Sequence, residues 1–408
     1  MNMKRELEFS YAVRLIASFA ALTLPLANAS AETSPYYFGG GLGVTQVSNV
    51  YRESGGGNGD TVGTATLLAG LDQRLGRQRL FGDASVQQNR YRSNSLLNNR
   101  SYSAKVGLDW ETLERLSGTL NGGKTRALAT YNVGSGIAPI FKKNVEDNTE
   151  LNAVARLGLV TRYSLEAVAG TRSRRYSAIE YARLQLDQNR YSLGVAYQPS
   201  ADLRLGLAAR LTRDKYPRAT LTNGDYAAAE FERKDLDLTG RWTVSGASTF
   251  EGRLSTGRSR VKLGVGSDFS GLTGLITWSW RPLARWAFST SVSRDTGLET
   301  SFFNVSGTRL NSDLNRITTA VQLSAAYELS SKVALNSSAS FSKSDRSRDS
   351  FALGEYDRDS AYNLGLRYQY SRGVQFSCQI SHQARDSSTP QYVYTANSYG
   401  CNGQLIIN

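Results

Sequence analysis

The sequence predicts an all-β chain: a single transmembrane antiparallel up-and-down β-barrel of about eighteen strands, with sixteen as the alternative count, formed after a signal peptide is cleaved. Three observations predict it: a secretory leader, a two-residue apolar alternation that recurs to the C-terminus, and connections that alternate between short and long. Composition agrees. The 408 residues are 40% apolar, with 7 Pro, 38 Gly and 22 Tyr, and mean hydropathy is −0.38. Beyond the N-terminus no apolar run reaches the roughly 18 residues that a membrane-spanning helix needs.

The leader comes first. Lys4, Arg5 and Arg14 flank an apolar run from Leu15 to Leu26, followed by Ala27-Asn28-Ala29 and Ala29-Ser30-Ala31, both small-x-small cleavage sites. Cleavage is placed after Ala31, with Ala29 as the alternative, and no Cys follows that would mark a lipoprotein. The domains are therefore 1–31, signal peptide, and 32–408, barrel.

The strands come next. In "SYSAKVGLDWE" (101–111), Tyr102, Ala104, Val106, Leu108 and Trp110 alternate with polar or small residues. A period of two is a strand with two unlike faces. The pattern returns in Leu151–Leu159, Leu203–Leu211, Leu236–Val244, Leu272–Trp280, Val321–Tyr327 and Tyr362–Tyr370.

The connections follow. Short ones lie at Leu75–Gln78, Thr112–Arg115, Thr161–Tyr163, Pro199–Asp202, Ser245–Ala247, Arg281–Arg285, Leu329–Lys332 and Ser371–Gly373. Long polar ones lie at 49–60, 94–100, 130–147, 177–187, 214–228, 260–268, 295–313, 345–358 and 385–391. This asymmetry is that of outer-membrane barrels. An even strand count puts both termini on the short-turn side, the periplasm.

Trp110, Tyr197, Trp242, Trp278, Trp280, Trp286 and Tyr327 all sit beside short turns, as an aromatic girdle at one membrane interface requires. The apolar face is therefore read as facing lipid; a repeated soluble β-structure is the alternative.

Four stretches, "QRLFGDASVQQNRYRS" (78–93), "LDWETLERLSGTL" (108–120), "STFEGRLS" (248–255) and "DFSGLTG" (268–274), resemble the EpsL family. These are outer-membrane β-barrel proteins of exopolysaccharide biosynthesis operons, within a larger group of β-barrel porins. The resemblance runs through most of the mature chain and rests on strand–turn–strand rhythm. It implies polymer export or assembly at the outer membrane and supplies no catalytic residues. One departure is the end, Ile406-Ile407-Asn408, where many bacterial barrels finish on an aromatic.

Candidate chemistry is sparse. "GTLNGGKT" (118–125) matches a phosphate-loop pattern, but it lies inside an alternating strand and no helix follows, so it reads as coincidence. The single histidine, His382, shares the lipid-facing parity of Val374, Phe376, Cys378 and Ile380, and a luminal Ser–His site is not supported. No His/Cys cluster suggests a transition metal. The chain is expected to be no enzyme, with no cofactor and no nucleic-acid partner.

The formal net charge is +13. Parity directs Arg156, Arg172, Arg174, Arg190, Arg204, Arg210, Arg241, Arg253 and Arg367 into the lumen, with Glu150, Glu166, Asp235, Asp237 and Glu251. Later strands offer Gln322, Ser324, Asn336, Ser338, Ser340, Gln375, Ser377, Gln379 and Ser381 instead. One reading is a basic, hydrogen-bonding wall past which an anionic exopolysaccharide slides, since Arg rings bias pores toward anions. The other is that luminal charges pair with each other. The expected function is a passive polar-lined channel for polymer, with outer-membrane lipid, anionic exopolysaccharide and periplasmic secretion components as partners. Two alternatives stand beside it: a general small-solute porin with an inward-folded loop, 130–147 or 295–313, and a plugged structural or docking barrel.

Finally, Cys378 and Cys401 are the only cysteines. Their midpoint falls inside the turn-like "DSSTPQ" (386–391), which sets them opposite each other across the last hairpin with the same lipid-facing parity. In an oxidising compartment this predicts a disulfide.

Overall fold

Each alternating segment forms a strand, and each strand pairs antiparallel with the next in sequence. The computed structural model describes residues 34–112, 115–133, 137, 139–160, 162–222, 225–264, 268–296, 316–346 and 356–408. The expected signal peptide, 1–31, and nearly all of the 295–313 connection lie outside the described residues. The strands are β1 (Tyr36–Val47), β2 (Asp60–Leu75), β3 (Gln78–Tyr91), β4 (Asn99–Glu111), β5 (Leu116–Leu128), β6 (Val145–Val160), β7 (Tyr163–Tyr176), β8 (Leu186–Tyr197) and β9 (Leu203–Thr222). They continue as β10 (Asp225–Ser245), β11 (Ser248–Leu263), β12 (Phe269–Trp280), β13 (Trp286–Thr296), β14 (Arg316–Glu328), β15 (Val333–Arg346), β16 (Tyr356–Gln369), β17 (Val374–Ser387) and β18 (Tyr394–Ile407).

Strand β18 returns to β1, from Phe38 opposite Ile407 to Val47 opposite Ser398, so the eighteen-stranded sheet closes and has no edge. All eight short turns fall where expected, at the end where β1 begins and β18 finishes. The "GTLNGGKT" segment lies within β5.

One connection differs from expectation. Much of 214–228 is strand: β9 runs 20 residues and β10 runs 21, meeting in a hairpin at Thr222 and Asp225. Spanning a bilayer takes about 9–11, so both strands rise well beyond it. Out there the outward face meets water, while Tyr216, Ala219, Ala229 and Phe231 pack inward, so the lipid-facing apolar stripe that marks a strand disappears. Pro217 also reads as a breaker, but it sits at a register shift, where a missing N–H is tolerated.

The outward face is apolar: Leu67, Leu207, Leu238, Leu272 and Leu364 are all exposed. The two clusters of buried apolar side chains lie at the long-loop end instead. At the short-turn end, seven rings form a continuous outward array across β10–β14. Trp242, Phe250, Trp278, Trp280, Phe288, Trp286 and Tyr327 follow one another at centroid distances of 6.4, 5.9, 5.6, 5.3, 5.3 and 4.2 Å. A flat-ringed belt of this kind suits a membrane–water interface. A disulfide joins Cys378 to Cys401, which are register partners on β17 and β18 with Cα atoms 4.0 Å apart. The chain is thus a closed transmembrane barrel of the outer-membrane type.

Candidate functional site

The inner face follows from the outer one. With leucines and aromatics fixed toward lipid, every intervening residue points into the lumen.

On β6–β11 the lumen is charged, and the charges meet each other. Glu166 stands between Arg156, 3.6 Å away, and Arg204, 2.7 Å away. Deeper, Arg210 contacts Asp237 at 2.8 Å and Asp235 at 3.1 Å. Asp235 also accepts from Arg233 at 2.8 Å. Arg233 then reaches past β11, donating to Thr273 on β12 at 3.0 Å and to Thr296 on β13 at 2.7 Å, with its guanidinium carbon 5.3 Å from the Phe269 ring centroid. The side chains of Arg210, Arg233 and Asp235 are at most 3% exposed. Gly257 makes this packing possible, because a Cβ there would lie 2.1 Å from Asp235 Oδ1 and 2.3 Å from the Lys234 carbonyl oxygen.

The nine arginines expected in the lumen all lie on the inner face, in different settings. Arg156, Arg204 and Arg210 are ion-paired. Arg172 donates to Asn148 at 2.7 Å and buried Arg174 to the Leu184 carbonyl at 3.2 Å. Arg190 and Arg253 are half-buried, whereas Arg241 and Arg367 are exposed. Neither of those two has an ion pair among the described residues.

On β13–β18 the lining is mostly neutral. Thr318 and Ser344 lie 2.8 Å apart, Ser381 and Ser398 2.6 Å, and Asn363 donates to Ser338 at 3.2 Å. Ser377 bonds Asn402. His382 points outward as parity required, beside Tyr362 and hydrogen-bonded to Asn397 at 2.6 Å.

The mouth at the long-loop end is built over. Val50, Tyr51, Leu97, Tyr131, Val133, Ile137, Ile140, Ala178, Tyr181 and Leu184 form one apolar core from four connections. The β5–β6 connection crosses furthest. The Asn132 carbonyl accepts from Arg385 Nη1 at 2.6 Å, on the inner face of β17, six strands round the ring. Arg385 is held by Asp359 at 2.6 Å. The Asn132 amide donates to the Arg52 carbonyl at 2.6 Å. Arg52 and Asn132 are the only non-glycine residues with positive φ among the described ones, +59° and +49°, a conformation held only where surroundings enforce it. Burial raises the Tyr131 and Tyr181 phenols above their ordinary value. The described residues of the β5–β6 connection thus fold inward across the mouth.

Two features escaped the sequence reading. Arg233 has the parity of Asp235 and Asp237, and the run "FERKDLDL" carried that signal. The Arg385–Asn132 latch had no local signal, because its partners are 253 residues apart.

No known family profile matches the chain, and no curated protein matches it. Among solved structures it is similar to OccAB4 of Acinetobacter baumannii, with 12% identity over 93% of this chain and 100% of that one and a TM-score of 0.48. It is similar to the outer-membrane protein OpdK of Pseudomonas aeruginosa, with 12% identity over 91% and 98% and a TM-score of 0.47. It is also similar to the FrpB iron transporter of Neisseria meningitidis, with 13% identity over 86% of this chain and a TM-score of 0.46; there the chain spans 61% of the transporter's length.

Proposed function

We propose that this porin-like barrel is a passive outer-membrane channel for an extended hydrophilic polymer, an exopolysaccharide on the EpsL resemblance, with both termini in the periplasm and the looped mouth at the cell surface. The observation that carries the reading is the neutral inner wall of β13–β18. The exposed or half-buried Asn363, Ser338, Ser381 and Ser398 bond laterally to one another there, so they exchange hydrogen bonds with sugar hydroxyls as readily as with water. Eighteen strands enclose a lumen of aqueous-channel width. The charged wall opposite is largely self-neutralised, which leaves Arg241 on that wall and Arg367 on β16 of the neutral one to attract acidic sugars. The crossing loop favours a second reading, a small-solute porin whose mouth the loop narrows.

Planar-bilayer conductance tests both. A polymer channel shows reversible current blockades when anionic polysaccharide is added, and they lengthen when Arg385→Ala releases the Asn132 latch. Conductance without blockades in either protein supports the small-solute porin, and no conductance in either shows a plugged barrel.

A further inference from the structure

The outward face of the barrel is not uniform from end to end. At the short-turn end it carries aromatic rings. At the long-loop end it carries cations: the outward parity of each strand places Arg90, Lys124, Arg175, Arg213, Arg294 and Lys343 there, away from the lumen. The belt is densest on the tall β9–β11 wall. Arg213, Lys234 and Lys262 share one carboxylate, Glu232, at 3.3, 3.8 and 3.6 Å. Arg258 meets Asp268 at 3.3 Å, and Arg260 has no ion pair among the described residues. With Lys215, which meets Glu230 at 2.9 Å, six cations thus face three carboxylates. Lys234, Arg213, Arg258 and Lys262 have side chains 76, 62, 56 and 52% exposed.

Directly beside this cluster the lipid-facing wall is hollow. Register sets Ala153, Ala169, Tyr191, Leu211 and Lys234 in one row across β6–β10. Alanines there, between the larger Leu120 and Tyr191, leave an apolar depression of about 860 Å³ that Lys234 borders. Cations facing hydrocarbon are costly, whereas cations at the headgroup level attract anionic lipid.

We propose that this cluster and depression form a specific site for a phosphorylated, acylated lipid of the outer leaflet. Arg213, Lys234, Arg258, Arg260 and Lys262 would hold the phosphate, and an acyl chain would lie over Ala153 and Ala169. A soluble polyanion has no use for the depression, and an uncharged lipid has no use for the cations. The site rests on the proposed orientation, with the long loops at the cell surface, and not on the channel reading, so it survives failure of the latter.

The test is native mass spectrometry of the folded barrel in detergent, titrated with diphosphorylated lipid A or with its dephosphorylated form. The expected result is tight binding of the first alone, weakened at least tenfold by K234E/R258E/R260E and by Ala169→Trp, and unchanged by Arg285→Glu in a short turn. Unshifted heat-modifiable gel mobility shows that each variant is folded. Equal binding by the triple variant, or equal binding of the dephosphorylated lipid, overturns the proposal. So does displacement by inorganic phosphate at equal concentration, or full binding by Ala169→Trp, since either removes the acyl contribution.

Discussion

The two halves of the lumen wall solve the same problem in opposite ways. Strands β6–β11 line the interior with charges that neutralise one another, ending in a network where Arg210, Arg233 and Asp235 are removed from water. Strands β13–β18 line it mostly with hydroxyls and amides paired side by side, with the Arg385–Asp359 pair near the mouth. A buried ion network is geometrically exacting, because losing one member strands the others. A hydroxyl ladder is forgiving, since its exposed and half-buried members, such as Asn363, Ser338 and Ser381, can turn to water. The charged half therefore stiffens the barrel, and the neutral half offers a surface of low specificity.

This contrast is most easily broken at Asp235. Asp235→Ala leaves Arg233 and Arg210 short of a carboxylate, and destabilisation of about 3–5 kcal/mol is expected in urea unfolding of the membrane-inserted barrel. Next in size is Cys378→Ser on the neutral half. Removing the cross-link frees the last hairpin in the unfolded chain, at a cost of about 3 kcal/mol. If the neutral half is forgiving, Ser340→Ala shifts the same midpoint by no more than about 0.5 kcal/mol. A loss as large as that for Asp235 would show the two halves to be energetically alike.

Selectivity sharpens the comparison further. Reversing Arg241 to Glu is expected to move the reversal potential of an open pore toward cations without unfolding it, whereas reversing Arg210 unfolds the barrel first. An unchanged potential in folded Arg241→Glu would remove that arginine from the conducting path. The smallest effect concerns the mouth. Tyr131 and Tyr181 have raised phenol values in the folded cap, so the stability they give is complete below the ordinary value near 10 and is lost as pH rises through the raised one. Conductance is expected to climb in strong alkali, and a Tyr131→Phe/Tyr181→Phe variant to lose that limb.

How much of this the sequence disclosed depended on the solvent each segment meets. Where one face meets lipid, as in Leu203–Leu211, alternation revealed the strand, its parity and the inward aim of Arg204 and Arg210. The cysteine pair was equally legible, because a hairpin fixes its own symmetry. Past the membrane the outward face no longer needs to be apolar, so 214–228 read as loop although most of it is strand. The pairing of Arg210 with Asp237 needed register between strands, which parity alone does not supply. The loop core was illegible for another reason: Val50, Leu97, Ile137 and Leu184 belong to four separate connections, each too short to show a pattern.

The ring array at the short-turn end also has an optical consequence. Four of the five tryptophans belong to it, and neighbouring rings there lie 4.2 to 6.4 Å apart. At such spacing, excited states are shared between chromophores. Near-ultraviolet circular dichroism of this protein should be dominated by coupled transitions from that one rim, and its intrinsic emission should report on a few strand ends. The barrel thus carries a spectroscopic gauge of whether β10–β14 have closed into register.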